Sequence, residues 1–318
     1  MKRKATATEL RRLGTEKINA ASADFDSKSA LEIAHIVNAE DAKVAAAVKR
    51  ALPQVAKAID WIAAALSEGG RLIYVGTGTS GRIAALDAVE CPPTFDVDPR
   101  VVQFVIAGGS KALAAVVEAD EDSRELGRKA IAKKKPTKKD VVVGIAASGR
   151  TPFTIAAIQY ARARGARTIA VVCNPNSPLG KAAHVSIVAE VGAEVVAGST
   201  RMKAGTAQKM ILNMLSTGAM TRLGYVYGNL MVNVRPKNKK LAERGVGIVE
   251  KAAGLNRQAA RKLLAAARAR VPVALVMAKA GVERAQAVAA LHKSQGQVRR
   301  AMALAKPRRR FDGDAGKP

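Results

Sequence analysis

Five short apolar segments, separated by helical segments, constrain the fold of this chain more than any other feature of its sequence. Each has the length of a strand, and all but the last are nearly continuous in valine, isoleucine, leucine or alanine. Strands of this kind lie in parallel sheets whose two faces are both covered. The segments are Arg71–Val75, Val101–Ile106, Val141–Ala146, Thr168–Cys173 and Val185–Ala189. The alternation predicts an α/β fold with a doubly wound parallel sheet, which binds ligands at the carboxyl ends of its strands.

The segments that flank this pattern divide the chain. We expect residues 1–60 to form an N-terminal helical segment that is polar and loosely ordered at its start. In this segment Asp41 can cap a helix that continues to Pro53. Residues 61–225 hold the sheet and end in a long helix over residues 201–222.

The C-terminal third has a different pattern. Residues 240–305 are rich in alanine and contain no strand-like run, which predicts a small all-helical module of three or four helices. Residues 306–318 are charged and rich in glycine and proline, so we expect a disordered basic tail.

Basic residues outnumber acidic ones, with 53 Lys and Arg against 26 Asp and Glu and a net charge of +27. They are spread widely, with local clusters at Lys2–Lys4, Lys133–Lys139 and Lys306–Arg310. No cluster is interleaved with aromatic side chains, as a stacking platform for single-stranded nucleic acid requires. We therefore expect no nucleic-acid partner, and a solvated basic surface that steers anionic substrates.

Membrane and secretory signals are missing from the sequence. No apolar run reaches the roughly 18–20 residues of a membrane span, and the basic segment Met1–Arg12 lacks an apolar core. The cysteines, Cys91 and Cys173, are interpreted as unpaired thiols of a reducing compartment. The prediction is a cytoplasmic protein without a membrane partner.

Two loops of small residues follow the first and third predicted strands. Gly76–Arg82 and Ala147–Thr151 combine glycine with hydroxyl side chains, and each leads into a helix. The free N–H groups and the dipole of a helix N-terminus attract an anion. Adjacent parallel strands would bring both loops to one crevice, where they could bind one phosphate. The predicted phosphate-binding residues are Gly78, Thr79, Ser80, Ser148, Gly149 and Thr151.

A third polar stretch precedes the long helix over residues 201–222. Ser199 or Thr200 can cap this helix, and Arg201 and Lys203 add positive charge at its start. Two readings stay open: an ordinary helix cap with solvated basic residues, or a set of substrate contacts made by Ser199, Arg201 and Lys203.

Two carboxylates are candidates for acid–base chemistry. Glu90 ends an apolar helical pattern and is followed by Cys91-Pro92-Pro93, where we expect the chain to turn sharply. The second candidate lies in an acidic cluster over residues 118–123, most of which is interpreted as a solvated helix start.

The motifs along most of the chain resemble those of the N-acetylmuramic acid 6-phosphate etherases. The resemblance runs from about Thr15 to about residue 300. The Glu90-Cys91-Pro92-Pro93-Thr94 run is highly specific to that family. The other matching segments are Gly76–Arg82, Ile106–Gly109, Val143–Pro152, Val191–Val196, Gly198–Lys209, Asn213–Thr217 and Gly228–Val232.

The resemblance implies a dimeric enzyme built on a sugar isomerase (SIS) domain over residues 61–225. It implies hydrolysis of the lactyl ether of N-acetylmuramic acid 6-phosphate to N-acetylglucosamine 6-phosphate and D-lactate, in cell-wall amino sugar recycling. The implied route uses no metal or organic cofactor. A base removes the C2 proton, an acid helps lactate leave C3, and water then adds. The two family glutamates fall on Glu90, expected as the acid, and Glu121, expected as the base.

Helix geometry adds a hypothesis about the dimer. Ten helical residues from Ser80 would carry Glu90 about 15 Å from the phosphate loop, farther than one hexose phosphate reaches. Either Glu90 works in the site of the partner subunit, or the helix breaks early.

Two alternatives use the same domain. A sugar-phosphate-sensing regulator would bind the ligand without an acid–base pair, and an aldose–ketose isomerase would move a proton between C1 and C2 without releasing lactate. The paired glutamates discriminate against the regulator, and a lactate assay separates all three.

Overall fold

The computed structural model describes residues 13–115, 120–233 and 239–305. The chain divides into two compact units. One runs to Cys91 and continues over Asp98–Ala219, and the other combines Pro92–Val97 with the chain from Met220 onward. The predicted basic tail over 306–318 and residues 118–119 of the acidic cluster lie outside the described residues.

The first unit is built on a five-stranded parallel sheet, which confirms the predicted fold class. The strands follow one another in space as β2-β1-β3-β4-β5. Every residue of the first and third strands is buried, because helices cover both faces of a sheet of this kind. The strands are β1 (Leu72–Gly76), β2 (Val102–Ile106), β3 (Val141–Ile145), β4 (Arg167–Val172) and β5 (Val185–Val188).

Seven helices accompany the sheet among the described residues. They are α1 (Ala30–Arg50), α2 (Leu52–Ser67), α3 (Gly78–Phe95), α4 (Arg124–Ala132), α5 (Pro152–Ala163), α6 (Pro178–Ala182) and α7 (Lys203–Arg222). Apolar side chains of α4, α5 and α6 pack with the sheet into one core, in which Ile73, Val142 and Ile158 are fully buried. This core fixes the carboxyl ends of β1 and β3 side by side.

The start of α1 differs from the prediction. The helix begins at Ala30, where Ser29 and Glu32 form a capping box, and Asp41 lies inside the helix rather than at its cap. The reciprocal hydrogen bonds of the box satisfy free N–H groups at this end, so the helix extends farther toward the N-terminus than the apolar pattern indicated.

The expected loose start falls partly on residues 1–12, which lie outside the described residues, whereas the described segment before α1 is ordered. It forms three short 3-10 turns between Gly14 and Ser27. Asn19 donates a hydrogen bond to the Ala193 carbonyl at 3.2 Å, and Ser22 donates to the Val195 carbonyl at 2.7 Å. These side-chain bonds hold a polar segment against the first unit without an apolar pattern, which is why periodicity did not reveal it.

The second unit contains a short hairpin and five helices among the described residues. The hairpin pairs β6 (Val226–Tyr227) with β7 (Leu230–Met231), and the helices share an apolar core that includes Val249, Leu264 and Leu275. The helices are α8 (Lys239–Ala253), α9 (Arg257–Ala266), α10 (Val271–Ala280), α11 (Arg284–Lys293) and α12 (Val298–Leu304). The all-helical character of residues 240–305 is as predicted, with more helices than the three or four expected because several are only about three turns long.

A search of the described residues for membrane-crossing segments found no helix with the necessary length and apolar character.

Candidate active site

The first of the two predicted phosphate loops, Gly76–Arg82, connects β1 directly to α3. The helix begins at Gly78, two residues earlier than the sequence indicated, so the first-turn N–H groups belong to Gly78, Thr79 and Ser80. Gly78 has a φ of +49°, a left-handed conformation that favours glycine. This conformation turns the strand into the helix within two residues and leaves the helix N-terminus at the carboxyl end of the sheet.

The second loop follows β3 and lies beside the first because β1 and β3 are neighbours. Its Ser148 hydroxyl accepts a hydrogen bond from the Arg150 N–H at 3.2 Å. Gly149 has a φ of +66°, and a Cβ atom there would lie 2.4 Å from the Ser177 side chain. Gly149 is absent from the described residues that line the cavity between the loops, so it shapes this loop through close packing instead of facing the cavity.

One cavity of about 420 Å³ brings the predicted residues together. Five of the six predicted phosphate-binding residues line it, and so does the predicted base Glu121. Its size is that of a small-molecule site. The lining residues are Glu16, Thr77, Gly78, Thr79, Ser80, Arg82, Ala112, Glu121, Ala146, Ala147, Ser148, Thr151 and Thr200.

Glu121 lies directly beside the first loop. Its Oε1 atom is 3.2 Å from the position that a Cβ atom on Gly78 would occupy. Its backbone carbonyl accepts a hydrogen bond from the Phe153 N–H at 3.1 Å, in the first turn of α5. The helix α5, which follows the second loop, therefore holds the Glu121 backbone, while the Glu121 carboxylate faces the first loop.

The charge on the cavity wall is mainly acidic. Arg82 is the one cation among the described lining residues, against the two carboxylates of Glu16 and Glu121. The Arg82 side chain donates to the carbonyls of Ala112 at 3.0 Å and Ala115 at 2.8 Å, which fixes its position. An anion in this cavity would therefore be bound chiefly by hydroxyls and helix N–H groups. Within the described part of the chain, no cluster of three or more His, Cys, Asp or Glu could hold a metal ion.

A buried carboxylate anchors α3 behind the first loop. Asp87 accepts hydrogen bonds from Tyr74 at 2.8 Å, Asn213 at 2.9 Å and Ser216 at 3.1 Å. Burial raises the pKa of Asp87, and these three hydrogen bonds only partly oppose that rise. Burial and the nearby Asp87 charge raise the pKa of Tyr74 well above its ordinary value. The network ties α3 to β1 and to α7, so the loop at the start of α3 is rigidly placed.

Glu90 lies elsewhere on α3. It is exposed and is not among the described residues that line the cavity. The expected sharp turn after Glu90 is wrong, because α3 continues through Pro92 and Pro93 to Phe95. The prolines occupy the end of the helix, where their missing N–H groups interrupt only its final bonds, and Asp96 still donates to the Pro92 carbonyl at 2.9 Å.

The third polar stretch is organised by buried carboxylates. Glu194 accepts hydrogen bonds from the N–H groups of Lys203 and Ala204, both at 2.9 Å, and so caps α7 in place of Ser199 or Thr200. The Lys203 ammonium, expected as a substrate contact, instead lies 2.6 Å from the buried Glu40 carboxylate. A carboxylate that meets two free N–H groups at once is a stronger cap than one hydroxyl.

The other predicted contacts of this stretch face different surroundings. Ser199 is half-buried and Arg201 is exposed, and neither is among the described lining residues. Thr200 does line the cavity, although it was predicted only as a possible cap.

Sequence reasoning missed Glu16, which lines the cavity from the N-terminal segment. The preceding residue, Thr15, is buried and accepts a hydrogen bond from the Asn174 amide at 3.1 Å. The same amide donates to the carbonyl of Ala147, in the second loop, at 3.2 Å. The start of the family resemblance at about Thr15 was the signal that could have drawn attention to this segment.

Comparison with known proteins finds one group of relatives that match 92% of the chain. A SIS domain model matches residues 132–218, and the glucokinase regulatory protein N-terminal SIS domain matches residues 54–162. An N-acetylmuramic acid 6-phosphate etherase of Clostridium beijerinckii is 48% identical over 293 residues, covering 92% of this chain and 96% of its own. The etherase of Escherichia fergusonii is 50% identical over 294 residues, covering 92% and 99%. N-acetylmuramic acid 6-phosphate etherase 2 of Vibrio parahaemolyticus is 48% identical, covering 92% and 98%. The similarity therefore extends well beyond the sheet.

Proposed function

Because the chain belongs to the N-acetylmuramic acid 6-phosphate etherase family, we propose that it cleaves the lactyl ether of N-acetylmuramic acid 6-phosphate by elimination and water addition. The products are N-acetylglucosamine 6-phosphate and D-lactate. The observation that carries this proposal is the single cavity in which both phosphate loops meet the Glu121 carboxylate. A phosphate site alone would serve any phosphosugar protein, whereas an adjacent carboxylate adds a base.

The reaction needs one group that accepts a proton and one that supplies it. In this proposal Glu121 removes the C2 proton of the open-chain aldehyde, the C3–O bond breaks, and a proton from Glu90 neutralises the departing lactate oxygen. Water then adds at C3 of the unsaturated aldehyde, and C2 regains a proton. The hydroxyls of Ser80, Ser148 and Thr151 hold the phosphate, while the carbon chain extends toward Glu121. Arg82 supplies positive charge beside the phosphate.

The position of Glu90 supports a homodimer with shared active sites. On α3, Leu86 and Val89 are 52% and 54% exposed and share a helix face with Glu90. An exposed apolar face of this kind favours burial against another surface. A second copy packed on this face would bring Glu90 of one chain toward the cavity of the other. Helix geometry agrees, since ten residues separate Glu90 from Ser80 by about 15 Å of unbroken helix.

We place the reaction in the cytoplasm, within the recycling of cell-wall amino sugars. Cys91 and Cys173 are buried free thiols, and burial raises the pKa of each to about 12. Thiols of this kind are compatible with a reducing compartment and have little reactivity of their own.

The test is incubation of the purified protein with N-acetylmuramic acid 6-phosphate in D₂O. We expect D-lactate release, measured with D-lactate dehydrogenase, and one deuterium at C2 of the sugar product. Glu121→Gln should lower kcat for lactate release by about 10²–10⁴-fold, because it removes the base. Glu125→Gln is the matched control, since Glu125 lies in the same segment, is exposed and pairs with Lys129.

Two outcomes would favour the alternative activities. Conversion of an aldose 6-phosphate to its ketose without release of lactate would indicate an isomerase. Binding of the sugar phosphate without any turnover would indicate a regulator.

A further inference from the structure

We propose that Glu16 is a substrate-positioning residue whose carboxylate accepts hydrogen bonds from the O–H or N–H groups of the sugar. The inference rests on the proposed function only for the identity of the sugar phosphate. Glu16 lines the same cavity as the two phosphate loops and Glu121. It comes from a segment sixty residues before the first loop, so it is not part of either phosphate-binding element.

The backbone that carries Glu16 is firmly held. Thr15 is 1% exposed, and its hydroxyl accepts a hydrogen bond from the Asn174 amide at 3.1 Å. Asn174 also donates to the Ala147 carbonyl at 3.2 Å, which links the segment to the second loop in two hydrogen bonds. The Glu16 N–H closes a 3-10 turn on the Leu13 carbonyl at 3.0 Å. The Glu16 backbone is therefore set relative to the loop that binds phosphate.

The Glu16 side chain lines the cavity on the side of the polar stretch that precedes α7. Its Oε2 atom is 3.5 Å from the position that a Cβ atom on Gly198 would occupy, close to Thr200, which also lines the cavity. Its Oε1 atom is 3.5 Å from the Thr15 hydroxyl, at the outer limit of a hydrogen bond. A carboxylate offers about four acceptor positions, and the hydrogen bonds within the described part of the chain use few of them, which leaves acceptor positions for a ligand.

The other polar groups of the cavity explain what a hydrogen-bond acceptor at Glu16 could bind. The other described polar groups of the wall are hydroxyls, an arginine and backbone N–H groups, all of which can donate to phosphate or carbonyl oxygens. The sugar also carries donors: its hydroxyl groups and its acetamido N–H. Glu121 is assigned to the reacting C–H bond. Glu16 is the remaining carboxylate of the described wall and is suited to accept from those donors.

Electrostatics excludes a role in binding the phosphate itself. A carboxylate repels a phosphate dianion, so removing the Glu16 charge would leave inorganic phosphate binding unchanged or slightly stronger. The same change would weaken binding of the sugar phosphate, because a charge-assisted hydrogen bond is lost. These opposite expectations separate a positioning role from a merely structural one.

The experiment compares Kd values for inorganic phosphate and N-acetylglucosamine 6-phosphate by ³¹P NMR titration. For Glu16→Gln and Glu16→Ala we expect sugar phosphate binding to weaken by about tenfold, with no weakening of phosphate binding. Glu68→Gln, an exposed carboxylate outside the cavity wall, is the control and should change neither Kd. Thr15→Val, which removes the hydrogen bond from Asn174, should also weaken sugar phosphate binding without weakening phosphate binding, but by a smaller factor.

Two ligand variants identify the donor. If the 4-hydroxyl of the sugar is the partner, the 4-deoxy analogue should bind more weakly to the wild type than the parent sugar phosphate does, and it should bind equally to the wild type and Glu16→Ala. If the acetamido N–H is the partner, glucose 6-phosphate, which lacks it, should instead bind with equal Kd to the wild type and to Glu16→Ala. Equal loss of phosphate and sugar phosphate binding, or loss of neither, would overturn the inference. A wild-type protein that releases no lactate would refute the proposed function, while the two binding constants would still decide the role of Glu16.

Discussion

At the residue scale, the site depends on a glycine that leaves room for a carboxylate. Gly78 adopts a positive φ at the start of α3, and Glu121 Oε1 lies 3.2 Å from the position that its Cβ atom would occupy. The missing side chain of Gly78 therefore leaves room for the carboxylate that we propose as the base. This relation joins two residues 43 positions apart in the sequence.

Gly78→Ala tests this relation. The new methyl group would lie 3.2 Å from Glu121 Oε1, so the carboxylate has to shift by a few tenths of an ångström. A displacement of about 1 Å at a reacting group can lower kcat by about 10²-fold, so this smaller shift should lower it by about tenfold or less. We expect a loss of that order in lactate release, measured together with the unfolding midpoint.

Gly192→Ala is the matched control for backbone strain. Gly192 also has a positive φ, +74°, but a Cβ atom there would have no neighbour within 4 Å. Both variants should lose a similar stability of about 1 kcal/mol from the left-handed conformation. Equal kcat values for the two variants would show that the space beside Glu121 has no catalytic importance.

The sequence predicted the loops well and the surroundings of single charged residues poorly. Gly78, Ser80 and Ser148 follow strands whose apolar pattern is clear, so their place at the sheet edge could be deduced. The burial of Lys203 against Glu40 could not, because the two residues are 163 positions apart and a sequence pattern cannot show which charges meet.

At the element scale, the polar contacts between α1 and α7 hold the start of α7, which follows Thr200 of the cavity wall. Glu40 on α1 pairs with Lys203, the first residue of α7, and with Lys43. Burial by itself would raise the pKa of Glu40, but hydrogen bonds from Lys203, Lys43 and Asn19 outweigh it and bring the pKa to about 2. Together with the Glu194 cap, this pair fixes where α7 begins.

Glu40→Gln should strongly destabilise the protein at pH 7. It leaves the Lys203 ammonium buried without its counter-charge, a change that costs about 3–5 kcal/mol. The Glu40 pKa is lowered in the folded state, so its contribution is fully present above the ordinary value of 4.5 and is lost as the pH falls toward about 2. Urea unfolding should therefore show a constant difference between variant and wild type from pH 8 to pH 5, and a shrinking one below that.

The double variant Glu40→Leu with Lys203→Met is the control for this prediction. Replacing both charges with apolar side chains of similar size is often close to neutral. The double variant should recover most of the stability lost in Glu40→Gln. A pH-independent deficit in Glu40→Gln would contradict an origin in the ion pair.

The elements themselves were predicted mainly through their apolar periods. The strands and α7 begin and end within two residues of the expected positions. A buried element requires a nearly continuous run of apolar residues, and such a run is visible in the sequence. The turns between Gly14 and Ser27 escaped notice because they are held by side-chain hydrogen bonds to distant carbonyls. The sequence did not predict that α3 continues through Pro92 and Pro93, because the residue before a proline usually leaves the helical conformation. Cys91 and Phe95, on either side of the prolines, are both buried, and a sequence pattern does not show this packing.

At the scale of the whole molecule, the cavity of one chain contains Glu121 but not Glu90 among its described lining residues. In the proposed reaction, which needs both groups, a second copy would supply Glu90, and the exposed Leu86 and Val89 mark the face of α3 that carries it. Closed two-fold dimers are the commonest arrangement of soluble oligomers, and they present the same patch on both chains.

Subunit mixing tests this arrangement directly. Glu90→Gln and Glu121→Gln chains should each be inactive alone. If every site combines Glu121 of one chain with Glu90 of the other, a mixed dimer has one intact site and one doubly altered site. Random exchange of equal amounts should then restore about a quarter of wild-type lactate release, because half of the dimers are mixed.

Leu86→Glu on both chains provides the control for dimer contact. Its charge on the apolar face should prevent association, and this variant should run as a monomer in sedimentation velocity and show no restored activity after mixing. The predicted recovery of a quarter of the activity requires that subunits exchange between dimers. This exchange is checked by placing an affinity tag on one of the two variants. Mixed dimers that form without any recovered activity would mean that each chain uses its own Glu90, and that α3 or its surroundings rearrange to bring the carboxylate to the cavity.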